Sequence, residues 1–274
     1  MSIRVGHSDD PDDAFMVWAL ASGVVDTRGF EIELVASDIQ TLNEWALEGR
    51  LEVTALSLAA YPHVDDRYAL LPHGASIGNG YGPIVVAREA LPVADLRKME
   101  IVVPGILTTA YLVLRLVLGG DFAHRTLPFD RILDEVRDGR ADAGLLIHEG
   151  QLTYAAAGLV KALDLGAWWE RETALPLPLG VTVVRRDVER AGELSDVLAE
   201  SILVGLRHRD EALAYARRFG RGLDAALADR FVEMYVNELT LDYGEQGRRA
   251  VEELLRRAEA AGVYDNVRIE FLGG

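Results

Sequence analysis

Cysteine is absent from this 274-residue sequence. Its absence excludes thiolate catalysis, disulfide bonds and every zinc or iron–sulfur site that depends on cysteine ligands. Long hydrophobic runs are also missing, because the most apolar stretch, AYLVLRLVLGG at 110–120, contains an arginine and is shorter than the roughly 20 residues that a membrane span requires. The amino terminus, MSIRVGHSDDPDD, becomes acidic where a secretory signal would continue with an apolar core. We therefore expect a cytoplasmic protein that has no membrane as partner.

Positive charge is scarce relative to negative charge. The chain carries 28 Lys and Arg against 44 Asp and Glu, so the formal net charge is 28 − 44 = −16 at pH 7. Such a balance repels the phosphate backbone of nucleic acids and the surface of anionic lipids at long range. We therefore expect neither nucleic acid nor a membrane surface to be a partner.

The residues that are present follow the pattern of an α/β protein. Half of them are hydrophobic and only 9 are proline, so the chain can bury one large core or two modest ones. Pro11 opens a predicted helix that ends near Ala21, and Asp38 caps a second helix that stops at Gly49. Short β-like runs alternate with helical patterns up to about residue 187, and only helical patterns follow. This order predicts helices packed on largely parallel sheets.

Two βα blocks precede the helical carboxyl-terminal region, which predicts a protein with two lobes. We expect residues 1–88 and 181–274 to form a larger α/β lobe that includes the helical region, and residues 89–180 to form a second α/β lobe. The glycine-rich segment HGASIGNGYGP at 73–83 suits a crossing between lobes more than a regular element, and 159–187 is the predicted return path. Proteins of this kind bind ligands in the cleft between their lobes.

Four stretches place polar residues where strands end or helices begin: GHSDDPDD, ALSLAA, PGILTTA and LIHEG. Free backbone N–H groups and the helix dipole converge at such places, so ligands bind there in α/β proteins. In LIHEG, His148 ends an apolar strand, and an ordinary imidazole pKa of about 6.5 suits a base near neutral pH. The alternative is a structural histidine that is hydrogen-bonded to backbone. Glu149 could orient the imidazole or lie at the surface.

Nine short motifs resemble, in order, those of one known family. They are TLNEWALEGRL at 41–51, LSLAAY at 56–61, GYGPIVVAR at 80–88, the combined motif of VPG with TTAY between 103 and 111, FDRIL at 129–133, GLLIHEG at 144–150, DLGAWWE at 164–170, LPLPLG at 175–180 and YVN at 235–237. Through them the chain resembles the menaquinone-biosynthesis family of the futalosine pathway. Each motif alone is weak, whereas the ordered set spans most of the chain.

The resemblance implies a periplasmic-binding-protein-like fold of type II and a lyase that acts on a small anionic substrate. The expected reaction converts cyclic dehypoxanthine futalosine to 1,4-dihydroxy-6-naphthoate, with His148 as the catalytic base and with no cofactor or metal. The resemblance assigns substrate contacts to the remaining motif residues, which are Ser8, Asp13, Asn43, Leu56, Ser57, Thr108, Thr109 and Ala110. Serine and threonine at such positions are also ordinary helix caps, and capping and binding can coexist.

The loop HSDDPDD departs from the SPCPND pattern that the better-known family members resemble at this place. Ser8 and Asp13 are kept, whereas the cysteine is lost and acids crowd the loop. With His7, these acids could bind a divalent cation, or they could simply favour the positive end of a helix dipole. Ala55 stands where some relatives carry a lysine, which puts the affinity for a carboxylate in doubt. The tryptophans of AWW at 167–169 could stack on a naphthalene or pack in the core.

Two other functions remain compatible with the sequence. A chorismate dehydratase of the same pathway would share the fold and the anionic substrate class, and a cytoplasmic small-anion-binding protein would share the cleft without turnover. The charged carboxyl-terminal helix EELLRRAEAAG could be a solvated surface or the contact of a homodimer, so the oligomeric state stays open.

Overall fold

The chain folds into two β-sheets covered by helices, in a computed structural model that describes residues 2–220 and 224–273. The strands are β1 (Ser2–Ser8), β2 (Glu31–Ser37), β3 (Val53–Ser57), β4 (Tyr68–Leu70), β5 (Ser76–Gly78), β6 (Ile84–Ala87), β7 (Ile101–Val103), β8 (His124–Thr126), β9 (Ala143–Leu146), β10 (Val160–Asp164) and β11 (Leu177–Arg185). The α-helices are α1 (Pro11–Ala21), α2 (Ile39–Leu47), α3 (Val93–Leu96), α4 (Thr109–Leu118), α5 (Phe129–Arg137), α6 (Gly150–Thr153), α7 (Leu165–Thr173), α8 (Ala191–Arg207), α9 (Arg209–Ala216), α10 (Ala225–Tyr235), α11 (Glu238–Leu241) and α12 (Gly244–Ala260). Two 3-10 helices lie at Leu58–His63 and Arg217–Phe219.

Both sheets mix parallel and antiparallel pairs. The first sheet has the order β2-β1-β3-β11-β4, with β5 also paired to β11, and the second has the order β10-β6-β9-β7-β8. In the first sheet β1 is parallel to β2 and β3, but β11 is antiparallel to all its neighbours. In the second sheet β6 is antiparallel to β9 and β10. The predicted α/β organisation is confirmed. The strands of each sheet run in one direction except β11 in the first sheet and β6 in the second, which enter from the other lobe and run in reverse.

The lobes exchange at slightly different residues from those predicted. Strand β6 belongs to the second sheet although it lies inside the predicted first-lobe segment 1–88, and β11 already pairs with β5 at Leu177, before residue 181. The segment 73–83, expected to lack regular structure, contains β5. These residues form a strand because their backbone groups pair with β11. The glycine-rich sequence of the segment gives no indication of that pairing.

Local sequence signals account for the helices that reach the cleft. Pro11 begins α1, with Asp12 and Asp13 in its first turn, as predicted. The Asp38 carboxylate caps α2 by accepting from the N–H of Thr41. Thr108 caps α4 in the same way through the N–H of Tyr111. These caps fix where the helices begin, and therefore which backbone N–H groups face the cleft.

A single apolar cluster runs from the first sheet into the second. It joins side chains such as Leu56 and Val183 of the first sheet to Val85 and Leu145 of the second, and it takes in the inner face of α12. A second cluster lies between the first sheet and α1, α8 and α9, and a third lies between the second sheet and α5. The lobes are therefore packed on one another. In the part of the chain that the structure describes, no helix is both long and apolar enough to cross a membrane.

Candidate active site

A cavity lies between the two lobes, at the carboxyl ends of β1 and β3 and at the starts of α1 and α4. The crossing segments close it on one side, through Pro83 before β6 and through the first half of β11. Its lining consists of Ser8, Asp10, Asp12, Asp13, Ile39, Ala55, Leu56, Ser57, Gly74, Ser76, Pro83, Thr108, Thr109, Ala110, Ile147, His148, Gln151, Leu179, Gly180, Val181, Phe231 and Tyr235. The space that these residues enclose is called the cleft cavity below.

All but one of the site residues expected from the sequence line the cleft cavity. Those that do are Ser8, Asp13, Leu56, Ser57, Thr108, Thr109, Ala110 and His148. The exception is Asn43, which is fully buried behind the wall in α2. Residues more than 100 positions apart in the chain thus converge on one space. That convergence is what a shared ligand site requires.

Asn43 reaches the cavity only through Ser57. Its side-chain oxygen accepts from the backbone N–H of Ser57 at 2.8 Å, and its amide nitrogen donates to the Ser57 hydroxyl oxygen at 3.1 Å. Because Asn43 supplies a donor to that oxygen, the Ser57 proton is available to a ligand. Asn43 therefore does not line the cavity, as the expected direct contact would require, but holds Ser57, which does; the helical pattern of α2 does not reveal this arrangement.

The two threonines at the start of α4 use their hydroxyls within the protein. Thr108 donates to the carbonyl of Gly105 at 2.7 Å besides capping the helix. Thr109 donates to the carbonyl of Leu179 at 2.6 Å and accepts from the N–H of Ala59 at 3.2 Å, so it ties α4 to β11 and to the 3-10 helix. What α4 offers an anion is the N–H groups of its first turn, together with the helix dipole.

His148 stands two residues after the end of β9, and its backbone adopts the left-handed conformation with φ of 53°. Few residues other than glycine take this conformation, and such strain is concentrated at functional sites. The ring packs edge-on against Phe129, with 4.7 Å between ring centroids. Its Nδ1 lies 3.0 Å from Oδ2 of Asp10, a residue of the opposite lobe. The contact with Asp10, more than with the adjacent Glu149, defines the orientation of the ring.

The charge around His148 differs from what the sequence suggested. Burial alone would lower its pKa, but the charge and hydrogen bond of Asp10, with the charges of Glu149 and Asp12, raise the pKa of His148 to about 9. The sequence alone suggested an imidazole of ordinary pKa that is neutral near pH 7. With a pKa of about 9, the ring is instead an imidazolium at that pH.

The acidic loop is organised by hydrogen bonds within the first lobe. The Ser8 hydroxyl donates to Asp10, the Ser8 N–H donates to Asp13 at 2.6 Å, and the Ser76 hydroxyl donates to Asp12 at 2.9 Å. Burial and the charge of Asp10 raise the pKa of Asp12 to about 6. Burial and the charge of Asp12 raise the pKa of Asp13 well above its ordinary range. The loop is therefore a proton-binding cluster.

A cation site in this loop gains no support from the geometry. Across residues 2–220 and 224–273, no three His, Cys, Asp or Glu side chains are grouped so that they could hold a metal ion. His7 turns away from the cleft cavity, and its Nδ1 lies 2.8 Å from the Ser8 carbonyl oxygen. Burial lowers the pKa of His7.

Several lining residues were not foreseen from the sequence. Tyr235 comes from α10, and its hydroxyl lies 2.8 Å from the side-chain amide of Gln151 in the second lobe. In the orientation that satisfies both ends of that amide, Gln151 donates to the carbonyl of Gly82 and accepts from the N–H of His148. Tyr235 opens the YVN motif and Gln151 follows IHEG, so proximity to these motifs was the one available signal.

Two further expectations concern the cavity wall. Neither tryptophan of the AWW motif lines the cleft cavity, and Trp169 is fully buried with its indole N–H donating to the Pro176 carbonyl at 3.0 Å. Stacking on a ligand is therefore wrong for this pair, and core packing is confirmed. Ala55 does line the cavity. Among the described lining residues, His148 is the only basic side chain.

The family of this chain is shown by its match to a family model. A family model described as menaquinone biosynthesis matches residues 3–260, nearly the whole chain. The chain belongs to the menaquinone biosynthesis family. The resemblance carried by the nine motifs is thereby confirmed.

This member of the menaquinone biosynthesis family is similar over its length to two curated enzymes. It is 44% identical over 264 residues to the 1,4-dihydroxy-6-naphthoate synthase of Thermus thermophilus, covering 96% of each chain. It is 39% identical over 269 residues to the 1,4-dihydroxy-6-naphthoate synthase of Streptomyces coelicolor, covering 96% of this chain and 94% of the relative.

Solved structures confirm the fold of this menaquinone biosynthesis family member. A crystal structure of an Archaeoglobus fulgidus protein matches with a TM-score of 0.91 and 46% identity, over 96% of this chain and 98% of the other. The alkanesulfonate-binding protein of Xanthomonas axonopodis pv. citri, bound to MOPS, matches with a TM-score of 0.71 and 16% identity, over 97% and 94% of the chains. A Candida albicans protein described as having the generic periplasmic binding protein fold matches with a TM-score of 0.63 and 14% identity, over 100% and 99%. The predicted periplasmic-binding-protein-like fold is confirmed.

Proposed function

We propose that this protein is a lyase that converts cyclic dehypoxanthine futalosine to 1,4-dihydroxy-6-naphthoate. The observation that carries the proposal is His148, the family-motif histidine, in the wall of a cavity closed by both lobes. Near full-length similarity to two synthases of that product supports the same reaction. We also propose that the enzyme works in the cytoplasm on a small anionic substrate.

The cavity offers separate places for the substrate's carboxylate and for the reacting carbon. We propose that the carboxylate meets the N–H groups at the start of α4 and the Ser57 hydroxyl, which Asn43 orients. Formation of a second aromatic ring requires loss of a carbon-bound group and removal of a proton. His148 has its Nδ1 directed at Asp10, so its Nε2 is the nitrogen that can take that proton.

The described lining residues include no lysine or arginine, which is compatible with an anionic substrate. Backbone N–H groups at a helix start bind carboxylates without a full positive charge. While it is protonated, His148 adds one positive charge within the cavity, and only the neutral ring, which becomes more abundant as pH approaches 9, can take the substrate's proton. The net charge of the whole protein is screened by salt beyond roughly 8–10 Å, so local donors dominate in the cleft.

A single-turnover assay tests the proposal directly. Purified protein is mixed with cyclic dehypoxanthine futalosine, and the formation of dihydroxynaphthoate is followed for the wild type and for His148→Ala. We expect product from the wild type and a loss of roughly 10²-fold or more in the variant. Unfolding of both proteins is compared, because destabilisation of the fold would also lower the activity of the variant.

Two control outcomes would overturn the proposal. Consumption of chorismate instead would identify the chorismate dehydratase of the same pathway. Tight binding of a small anion without turnover of either compound would identify a binding protein. Full activity of His148→Ala would leave the reaction in place but remove His148 as its base.

A further inference from the structure

The contact between Asp10 and His148 joins the two lobes across the cleft cavity. Asp10 follows β1 in the first lobe, and His148 follows β9 in the second, 138 residues later in the chain. Nδ1 and Oδ2 are 3.0 Å apart, and the side chains are 15% and 2% exposed. A buried carboxylate needs partners that compensate the loss of water, and here the imidazole is one of them.

The position of Asp10 is that of a helix cap, but its side chain is used differently. Asp10 precedes α1 with extended backbone, and yet its carboxylate accepts no hydrogen bond from the N–H groups of that helix. Ser8 instead donates its hydroxyl to Oδ2, the same oxygen that faces His148. The Ser8 hydroxyl thus holds the carboxylate oxygen that contacts the ring, which the structural task of capping does not explain.

We propose that Asp10 is a positioning residue for His148. Its carboxylate accepts a hydrogen bond from the Nδ1–H group across the cleft and leaves Nε2 facing the substrate. This inference rests on the proposed function for the identity of the substrate, but the contact itself belongs to the free protein. Asp10 fixes the tautomer and the rotation of the ring, and the left-handed backbone of His148 sets the direction in which the side chain leaves the main chain.

The pair also links the charge of His148 to closure of the lobes. The acidic groups that act on the imidazole are Asp10, Asp12 and Asp13 at the start of α1 and Glu149 from its own segment, and the Phe129 ring packs against it. Separation of the lobes would remove the three carboxylates of the first lobe and leave Glu149. The imidazole is therefore expected to hold its proton in the closed cleft and to release it more readily when the lobes part.

The first test measures the ring itself and needs no substrate. Histidine is labelled with ¹⁵N, and the imidazole signals are followed against pH in the wild type and in Asp10→Asn, with His148→Gln identifying the signal. We expect Asp10→Asn to lower the titration midpoint of His148 by roughly 1–3 pH units, because a carboxylate in contact is replaced by a neutral amide. The control is Asp9→Asn, which removes the adjacent carboxylate outside the cleft cavity and should leave the midpoint unchanged.

The second test measures catalysis by the same variants. We expect Asp10→Asn to reduce kcat by roughly 10- to 100-fold with little change in KM, and to move the rise of kcat with pH to lower pH. Asp10→Glu keeps the charge and should keep the pH at which kcat rises. A loss of activity with an unchanged pH profile would mean that Asp10 only supports the fold.

The two tests separate the possible failures. An unchanged midpoint of His148 in folded Asp10→Asn overturns the inference whether or not the protein turns over cyclic dehypoxanthine futalosine. A lowered midpoint together with no turnover overturns the proposed function and leaves the Asp10–His148 contact established.

Discussion

Asn43 is fully buried, and both of its hydrogen bonds end on Ser57. An amide in this position contributes to binding only by fixing where the serine hydroxyl points. A buried side chain that orients another is a common arrangement around binding sites, since it reduces the freedom that the ligand would otherwise have to remove. Asn43 and Ser57 are therefore one functional unit.

The first prediction concerns this unit. Asn43→Ala and Ser57→Ala should each raise KM roughly tenfold, the effect of about 1.4 kcal/mol, and the double variant should raise it little further. Both variants lose the same oriented hydroxyl, so their effects are not additive. KM from initial rates of the four proteins checks this. Additive effects would show that Asn43 acts on the substrate by another route.

The second prediction concerns the pH dependence of His148. Asp10 raises the pKa of His148 to about 9, so the neutral ring that can accept a proton becomes more abundant as pH rises toward 9. We expect kcat to increase between pH 7 and pH 9, with no such rise in the residual activity of His148→Ala. Steady-state rates at saturating substrate measure it. A rise centred near pH 6.5 would show that substrate displaces Asp10 from the ring.

The third prediction concerns Asp12 and stability. Its folded pKa of about 6 lies above the ordinary value of 3.8, so the native state binds the proton more tightly than the unfolded chain. The free energy of unfolding that Asp12 contributes therefore falls as pH rises from about 4 to 6. Asp12→Asn should be more stable than the wild type at pH 7 by up to about 3 kcal/mol, with the difference vanishing near pH 4. Urea unfolding at both pH values measures the difference in free energy of unfolding between the variant and the wild type. If the charge of Asp12 stabilised the fold, Asp12→Asn would instead be less stable than the wild type at pH 7.

At the scale of elements, two glycines enclose one carbonyl group where the chain crosses between lobes. A Cβ at Gly166, in the first turn of α7, would lie 2.1 Å from the carbonyl oxygen of Tyr81. A Cβ at Gly78, at the end of β5, would lie at the same distance from the same oxygen. The crossing segment can therefore pack closely between β5 and α7 because Gly78 and Gly166 have no side chains.

The fourth prediction follows from that packing. Gly166→Ala should lower the free energy of unfolding by at least about 1–3 kcal/mol, because backbone atoms must move to admit the methyl group. Gly192→Ala is the matched control, since Gly192 is also the second residue of a helix and a Cβ there meets no atom within 4 Å. That variant should be neutral or more stable by up to about 1 kcal/mol. Equal effects of the two substitutions on thermal unfolding would contradict the packing argument.

The elements that the sequence predicted well are those with local causes. The bounds of α1 follow from Pro11 and the first-turn acids, and the start of α2 follows from Asp38. Strand β5 was missed because its stability comes from pairing with β11, about 100 residues away. The contact of Asp10 with His148 was missed for the same reason. Motifs located the walls of the cavity, but no local pattern specifies which groups meet across it.

At the scale of the whole molecule, Gln151 connects the lobes beside His148. It contacts Tyr235 of the first lobe and, through its other end, the crossing segment and the backbone of His148. A shared apolar cluster lies behind these polar contacts. The apolar cluster and the polar contacts of Gln151 therefore both hold the lobes together in this arrangement.

The fifth prediction tests that alignment. Gln151→Ala should weaken binding of product by roughly 3- to 30-fold, the effect of about 1–2 kcal/mol, because the closed cleft loses its polar link. Small-angle X-ray scattering of the free variant should give a larger radius of gyration than the wild type. The control is Gln246→Ala, which changes the same residue type outside the cleft cavity. Equal scattering and equal affinity for the three proteins would remove Gln151 from closure.

The place of β11 in the first sheet has a consequence for how the molecule is made. This strand lies between β3 and β4, so the sheet has a gap at its centre until residue 185 has been synthesised. The second sheet consists of β6 to β10 and is complete by residue 164. On the ribosome, the second lobe can therefore fold while the first waits with an open strand edge, a state in which nascent chains are most prone to aggregate. The half of the protein that begins the chain is the last to be finished.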